Sequence, residues 1–194
     1  MMKFEIKDTV KISIMAALSF LIMLIEFPLP FMPPFLKLDF SEIPALLIAF
    51  SMGPLGAVMV ELIKNLLHLL KTTSAGIGEL ANFIVGAFLV VPVGLVYKWN
   101  KTKKGAYIAL AVGIVSMTVF SSIFNYLVLL PLYAKVLGFP TDAVVAISGE
   151  MNSMIVDIKT LIAFGIAPFN FIKAIIISLI VAVIYKRLSP ILHR

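Results

Sequence analysis

Apolar residues run along this chain in blocks of about twenty, broken by short polar, glycine-rich or proline-rich segments. A helix needs about that many residues to cross the hydrocarbon of a bilayer. The pattern predicts a first helix over about residues 9–27, then a stiff extended loop to about 40, forced by Pro28, Pro30, Pro33 and Pro34. Ser41, Glu42 and Pro44 mark the next helix start. A short second helix is expected over 42–52 and a third over about 55–70, divided at Gly53-Pro54. A fourth follows over about 79–97, a fifth over about 106–133 and a sixth over about 168–186. Residues 135–166 read as a long connection carrying a short amphipathic helix.

Composition agrees with a membrane solvent. The 194 residues are 61% hydrophobic and 13% charged, with a mean hydropathy of +1.10, where soluble domains carry about 25% charged residues. The expected fold is all-α: a single domain over residues 1–194, an integral membrane bundle of six transmembrane helices. No room is left for an appended nucleotide-binding or catalytic domain. The first apolar stretch follows Lys3, Lys7 and Lys11 as in a signal peptide, but it runs into Glu26-Phe27-Pro28 with no small-residue cleavage site, so it reads as a retained helix.

The net charge of +6 is placed in a telling way. Lys98, Lys101, Lys103 and Lys104 fill one loop, and the rest of the clustered basic residues lie near the two termini. Lys37, Lys71, Lys135 and Lys159 fall on the opposite side of a six-span path. This is the positive-inside distribution. It puts both termini and the lysine loop in the cytoplasm, and it argues against a nucleic-acid partner. The proline loop, the 134–166 connection and the start of the last helix then face outward. There is no cysteine, and His68 and His193 lack metal-ligand spacing, so no metal site is expected.

Candidate chemistry gathers at the outward end. Asn170 and Lys173 open the last apolar helix and share one face of it. A lone ammonium in hydrocarbon is costly, so Lys173 must be solvated, paired or bound to a ligand. The proline loop adds Lys37, Asp39, Ser41 and Glu42, helix four adds Glu79 and Asn82, and helix five adds Asn125 and Tyr126. Phenylalanines are interleaved with them. Apolar walls with a few placed donors and acceptors suit a small polar ligand. Glu61 and Lys64 are i,i+3 neighbours with His68 one turn on; structural pairing is the plain reading, a proton relay the alternative. Small residues recur at every fourth position, as in Ala45-Ala49-Gly53, Gly105-Ala109-Gly113 and Ala174-Ser178-Ala182, and let helices approach closely. Ser13 and Ala17 form such a pair on the terminal helix, a place for a partner to dock. No GxSxG, P-loop or HExxH motif occurs, so no catalytic residues are named and the chain does not read as an enzyme.

Three blocks in this order resemble a known family: residues 27–70 with LKLDFSEIP, residues 125–133 (NYLVLLPLY) and residues 165–178 (GIAPFNFIKAIIIS). They look like the riboflavin-specific S component of energy-coupling-factor (ECF) vitamin transporters. The resemblance covers most of the chain and is weakest at the N-terminus and over 134–160. It implies a six-helix protein of the bacterial cytoplasmic membrane that captures riboflavin from outside and carries no cofactor of its own. It also implies partners: a transmembrane coupling protein and two cytoplasmic ATPases that use ATP. Carried over by position, the ligand contacts fall on Lys37, Leu38, Asp39, Asn125, Asn170 and Lys173, extended to Glu79 and Asn82 by location. The AxxxA docking motif of the first helix has Ser13-Ile-Met-Ala-Ala17 as its counterpart here. An S component for another vitamin, a small membrane enzyme and a structural bundle subunit are the alternatives.

Overall fold

The structure, a computed structural model, describes residues 5–192 apart from Phe139, with side chains as far as Tyr185. The helices are α1 (Ile6–Met23), α2 (Glu42–Met52), α3 (Pro54–His68), α4 (Ile77–Trp99), α5 (Lys103–Phe124), α6 (Leu130–Leu137), α7 (Thr141–Met151), α8 (Ile158–Leu161) and α9 (Ala167–Leu192). Two short strands, β1 (Phe27–Pro28) and β2 (Lys37–Leu38), pair antiparallel with Phe27 opposite Leu38. The expected cytoplasmic placement of Lys3, Lys186, Arg187 and Arg194 lies outside the described side chains.

α2 is the axis of the bundle. Pro44 to Phe50 are all buried, as an apolar helix without a polar face requires. Gly53 breaks it at φ +85°, a conformation that favours glycine, and Pro54 then opens α3 with the ring at a position that needs no N–H. α4 passes so close to this break that a Cβ on Gly94 would lie 2.7 Å from Pro54 N. α1 buries one stripe, Ile12, Ala16, Ser19 and Met23, and leaves Ile6, Val10, Ile14 and Leu18 exposed on its other side. At one end of the bundle Phe50, Tyr97 and Tyr185 close the core, with ring centroids 4.7–4.8 Å apart for the two pairs that include Phe50 and the two hydroxyls hydrogen-bonded.

Several boundaries differ from the sequence expectation, each for a local reason. α1 stops at Met23, so Glu26 lies in the loop rather than at the helix end, and β1 begins at Phe27. The fifth helix continues past Phe124 through a π turn, Asn125–Leu129, into α6, giving one rod over Lys103–Leu137. The widened turn lies directly ahead of Pro131, whose ring would clash with the preceding turn of a regular helix. The last helix starts at Ile158, ten residues before the expected 168. Asp157 accepts from the Thr160 N–H at 2.7 Å and Thr160 Oγ1 accepts from the Asp157 N–H at 2.8 Å, a reciprocal cap. A second π turn, Ile162–Ile166, carries the chain into α9. α7 is the short helix expected in the connection.

Among the described residues three helical rods are long and apolar enough to cross a membrane: Ile77–Trp99, Lys103–Leu137 and Ile158–Tyr185. α2, with 11 residues, and α3, with 15, are shorter. α1 has 18 residues but carries Lys7, Asp8 and Lys11 in its opening turns.

Candidate functional site

The proline loop delivers its acidic end into the bundle. Just after β2, Asp39 Oδ1 accepts the Ser41 N–H at 2.8 Å, a local turn that orients the carboxylate and starts α2. Ser19 on α1 donates to Ser41 O at 2.8 Å and fixes the same corner from the other side. From α9, Lys173 Nζ lies 2.8 Å from Asp39 Oδ2 and 2.9 Å from Glu42 Oε1. From α3, Lys64 Nζ donates to Ser41 Oγ at 2.7 Å and lies 2.8 Å from Glu61 Oε2 and 3.5 Å from Glu42 Oε1. Asp39, Glu42, Glu61, Lys64 and Lys173 are each 4% exposed or less. Three carboxylates and two ammonium groups thus tie the first loop, α2, α3 and α9 together. Burial by itself would raise the Asp39 carboxyl; the ammonium charges of Lys173 and Lys64 and the hydrogen bonds from Lys173 and Ser41 outweigh it and hold Asp39 well below the usual carboxylate range.

Around this cluster the structure distributes the remaining expected residues. Asn170, one turn before Lys173, is buried and donates to Ile166 O in the π turn at 2.9 Å. Leu38 is buried on β2. Asn125 stands in the other π turn, half-buried, and donates back to Ser121 O at 2.8 Å. Beside that turn the Phe88 ring lies 5.6 Å from Phe120 and meets Phe124 edge-on at 6.2 Å, centroid to centroid. Lys37 is exposed and pairs with Glu26 at 2.5 Å, at the rim rather than in the cluster. Glu79 is buried but occupied elsewhere: it accepts from Thr72 at 2.9 Å and meets His68 Nδ1 at 3.0 Å. Asn82 is half-buried, and its Oδ1 has no hydrogen-bond partner. Asp39, Asn170 and Lys173 are therefore brought together, while Lys37, Glu79 and Asn125 stand apart from them in separate contacts.

The expectation places Glu42 with Asp39 and Ser41 at this end without making it a ligand contact, and it misses Lys64 and Glu61 as members of this constellation. Glu61 and Lys64 do pair, but through Ser41 and Glu42 they join the Lys173 cluster. The readable signal was a lysine and a glutamate in an apolar helix, which spacing alone could assign only to each other. His68 turns away from that pair to Glu79.

The proline loop also packs against the last two rods. Leu36 of the proline loop packs with Leu130, Ile155, Leu161 and Ile166 in a small second core, and a Cβ on Gly165 would lie 3.1 Å from Pro33. Beside it opens a cavity of about 570 Å³ bounded by Tyr126, Asp142, Gly149, Asp157 and Lys159 among others. That volume suits a vitamin-sized molecule. None of the eight expected ligand contacts lines it; Tyr126 neighbours Asn125 and links the cavity to the π turn.

The comparisons with known proteins fall on the same chemistry. The sequence profile of the family "ECF transporter, substrate-specific component" matches residues 7–185. The riboflavin transporter RibU of Staphylococcus aureus (strain TCH60) is 37% identical over 188 residues, covering 97% of this chain and 93% of that protein. The riboflavin transporter FmnP of Bacillus subtilis (strain 168) is 35% identical over 189 residues, covering 96% and 94%. A solved S component of a bacterial ECF transporter superposes with a TM-score of 0.78 at 37% identity, covering 97% of this chain and 98% of that one. The chain therefore belongs to the family of substrate-specific components of ECF transporters, multi-pass membrane proteins that serve transport rather than catalysis.

Proposed function

We propose that this protein captures riboflavin at the charged end of its bundle and delivers it to the cytoplasm as the substrate-binding subunit of an ATP-driven transporter. The observation that carries the reading is Lys173, buried on α9 beside Asn170 and held by Asp39 and Glu42. The names of the relatives at 35–37% identity support riboflavin as the ligand. In this reading the tricyclic ring lies among apolar and aromatic side chains near Asn125. The ribityl hydroxyls exchange hydrogen bonds with Asn170, Lys173 and Asp39, and Lys37, Leu38, Glu79 and Asn82 frame the entrance. Riboflavin is neutral, so it shares the Lys173 ammonium with Asp39 rather than replacing that carboxylate.

The finer architecture belongs to the same proposal. Six spans, with α2 and α3 as short or tilted members, put both termini in the cytoplasm and the proline loop outside. A coupling protein docks on α1, where Ser13 and Ala17 are exposed while Ile12 and Ala16 face the core. Two partner ATPases hydrolyse the ATP.

The test is the visible absorption of the protein overexpressed and purified in detergent. Flavin bands that leave the protein on denaturation, from a species identified as riboflavin, support the reading. A colourless preparation that fails to quench added riboflavin fluorescence removes it.

A further inference from the structure

Glu61 holds a place that the ligand site does not use. Its carboxylate lies against α4 where there is no side chain: a Cβ on Gly86 would be 2.4 Å from Glu61 Oε2. α3 and α4 run antiparallel, with His68 meeting Glu79 and Glu61 meeting Gly86. The same register sets Asn65 opposite Asn82, so a polar seam runs between the two helices.

This seam has acceptors and too few donors. Glu61 Oε1, Asn65 Oδ1 and Asn82 Oδ1 are buried in it without a hydrogen-bond partner, and so is Glu42 Oε2 on α2. Asn65 spends its own Nδ2 on Glu61 O at 2.8 Å. The charge is unbalanced in the same sense. Asp39, Glu42 and Glu61 bring three negative charges against two positive ones on Lys64 and Lys173, and all five side chains are buried. An uncompensated charge in such a place is strongly unfavourable.

The titratable neighbours are accounted for on each packed element. The first loop presents Asp39, α2 presents Glu42, α3 presents Lys64 and α9 presents Lys173. α4 faces Glu61 with Gly86, and its Glu79 is joined to His68 two turns away along α3. Lys7, Asp8 and Lys11 lie at the opposite end of α1 from Ser19, the residue that reaches this corner.

We infer that the seam is a binding site for one proton, carried by Glu61 as a neutral carboxylic acid in the folded protein at neutral pH. The proton cancels the excess charge and turns one orphaned acceptor into a donor. A metal cation is the poorer occupant, because the Lys64 ammonium already stands 2.8 Å from Glu61 Oε2. The site keeps the Lys64–Glu42–Lys173 chain electrically neutral without drawing Lys173 away from Asp39. It does not depend on which vitamin is bound.

Infrared difference spectroscopy of the full-length purified protein, without added ligand, tests this. The wild type should show the carbonyl stretch of a protonated carboxylic acid at neutral pH. Glu61→Asp should move that band, because the vibrating group itself changes, and Glu42→Asp should leave it in place. The folded state holds a proton that the unfolded chain releases, so stability should fall as pH rises. Between about pH 4.5 and neutrality the wild-type thermal midpoint should fall relative to that of Glu61→Gln, the neutral isostere. Absence of the band from the wild type overturns the inference. So does a band that moves with Glu42→Asp and not with Glu61→Asp, or a wild-type midpoint that keeps pace with that of Glu61→Gln over this range. Should Glu61→Asp not fold, the wild-type spectrum and Glu42→Asp still decide.

Discussion

Lys173 and Asp39 stand 134 residues apart in the chain and 2.8 Å apart in the fold. The contact joins the last long helix to the loop that follows the first. Both side chains are almost wholly buried, so neither is satisfied by water when the other is removed. The pair therefore closes the loop over the bundle and also presents the ammonium at the site.

Lys173→Ala should weaken riboflavin binding by about ten- to a hundredfold, the loss of a charged hydrogen bond of about 1.5–3 kcal/mol. It should also destabilise the protein by about 3–5 kcal/mol, since Asp39 and Glu42 keep buried charges that lose their partner. Adding Asp39→Asn should restore part of the stability and none of the affinity. Fluorescence-quench titration and thermal unfolding of the same preparations separate the two effects. Unchanged affinity in Lys173→Ala would remove it from the site.

Asp39 also gives a signature at acid pH. Its carboxyl is held below the usual range in the folded protein, with burial opposing and the two lysines and Ser41 prevailing. A depressed folded-state value means stability that is fully present above the unfolded-state value and lost as pH falls below it. The stability difference between wild type and Asp39→Asn should thus be constant above about pH 5 and shrink below about pH 4. A difference that persists unchanged into strong acid would mean that Asp39 is not ionised in the fold.

Much of this was legible from the chain, and the reasons are local. α2 was bounded correctly at Glu42 and Met52 because its signals, Ser41 before it and Gly53-Pro54 after it, act within a few residues. Lys173 was recognisable because a lysine among isoleucines demands a partner wherever it folds. Which partner is a matter of topology: nothing near residue 173 points to Asp39, and nothing near Lys64 points to Ser41. The start of the last rod at Ile158 was hidden by Asp157 and Lys159, which look like a loop until Thr160 closes the cap. Neither π turn leaves a mark in hydrophobic periodicity, although one begins at Asn125 and the other ends one turn before Asn170.

Gly86→Ala tests the close approach of α3 and α4. The added methyl would lie 2.4 Å from Glu61 Oε2 and 2.8 Å from Glu61 Cδ, on a carboxylate whose own position is fixed by Lys64. Glu61 must move, so the substitution should cost about 1–3 kcal/mol as an overpacked core does. Gly138→Ala, with nothing within 4 Å but a φ of +65°, should act through backbone strain alone. Combining Gly86→Ala with Glu61→Ala should recover most of the loss if the clash is the cause. Thermal unfolding of the three Gly86 and Glu61 variants measures that coupling, and additive losses would refute it.

Ser13→Leu together with Ala17→Leu addresses the outer face of α1. Both positions are exposed, and the core is packed by Ile12, Ala16, Ser19 and Met23 on the opposite stripe. The larger side chains should therefore leave the isolated protein folded and its riboflavin affinity within about twofold, a surface effect below 0.5 kcal/mol. Close helix approach in lipid depends on small residues, so the same change should weaken attachment of a coupling protein and abolish ATP-dependent uptake. Co-purification with the coupling module and uptake of labelled riboflavin read this directly. Normal assembly and uptake by the double variant would move the docking surface to another helix, and a loss of binding in the isolated protein would show that this face belongs to the fold itself.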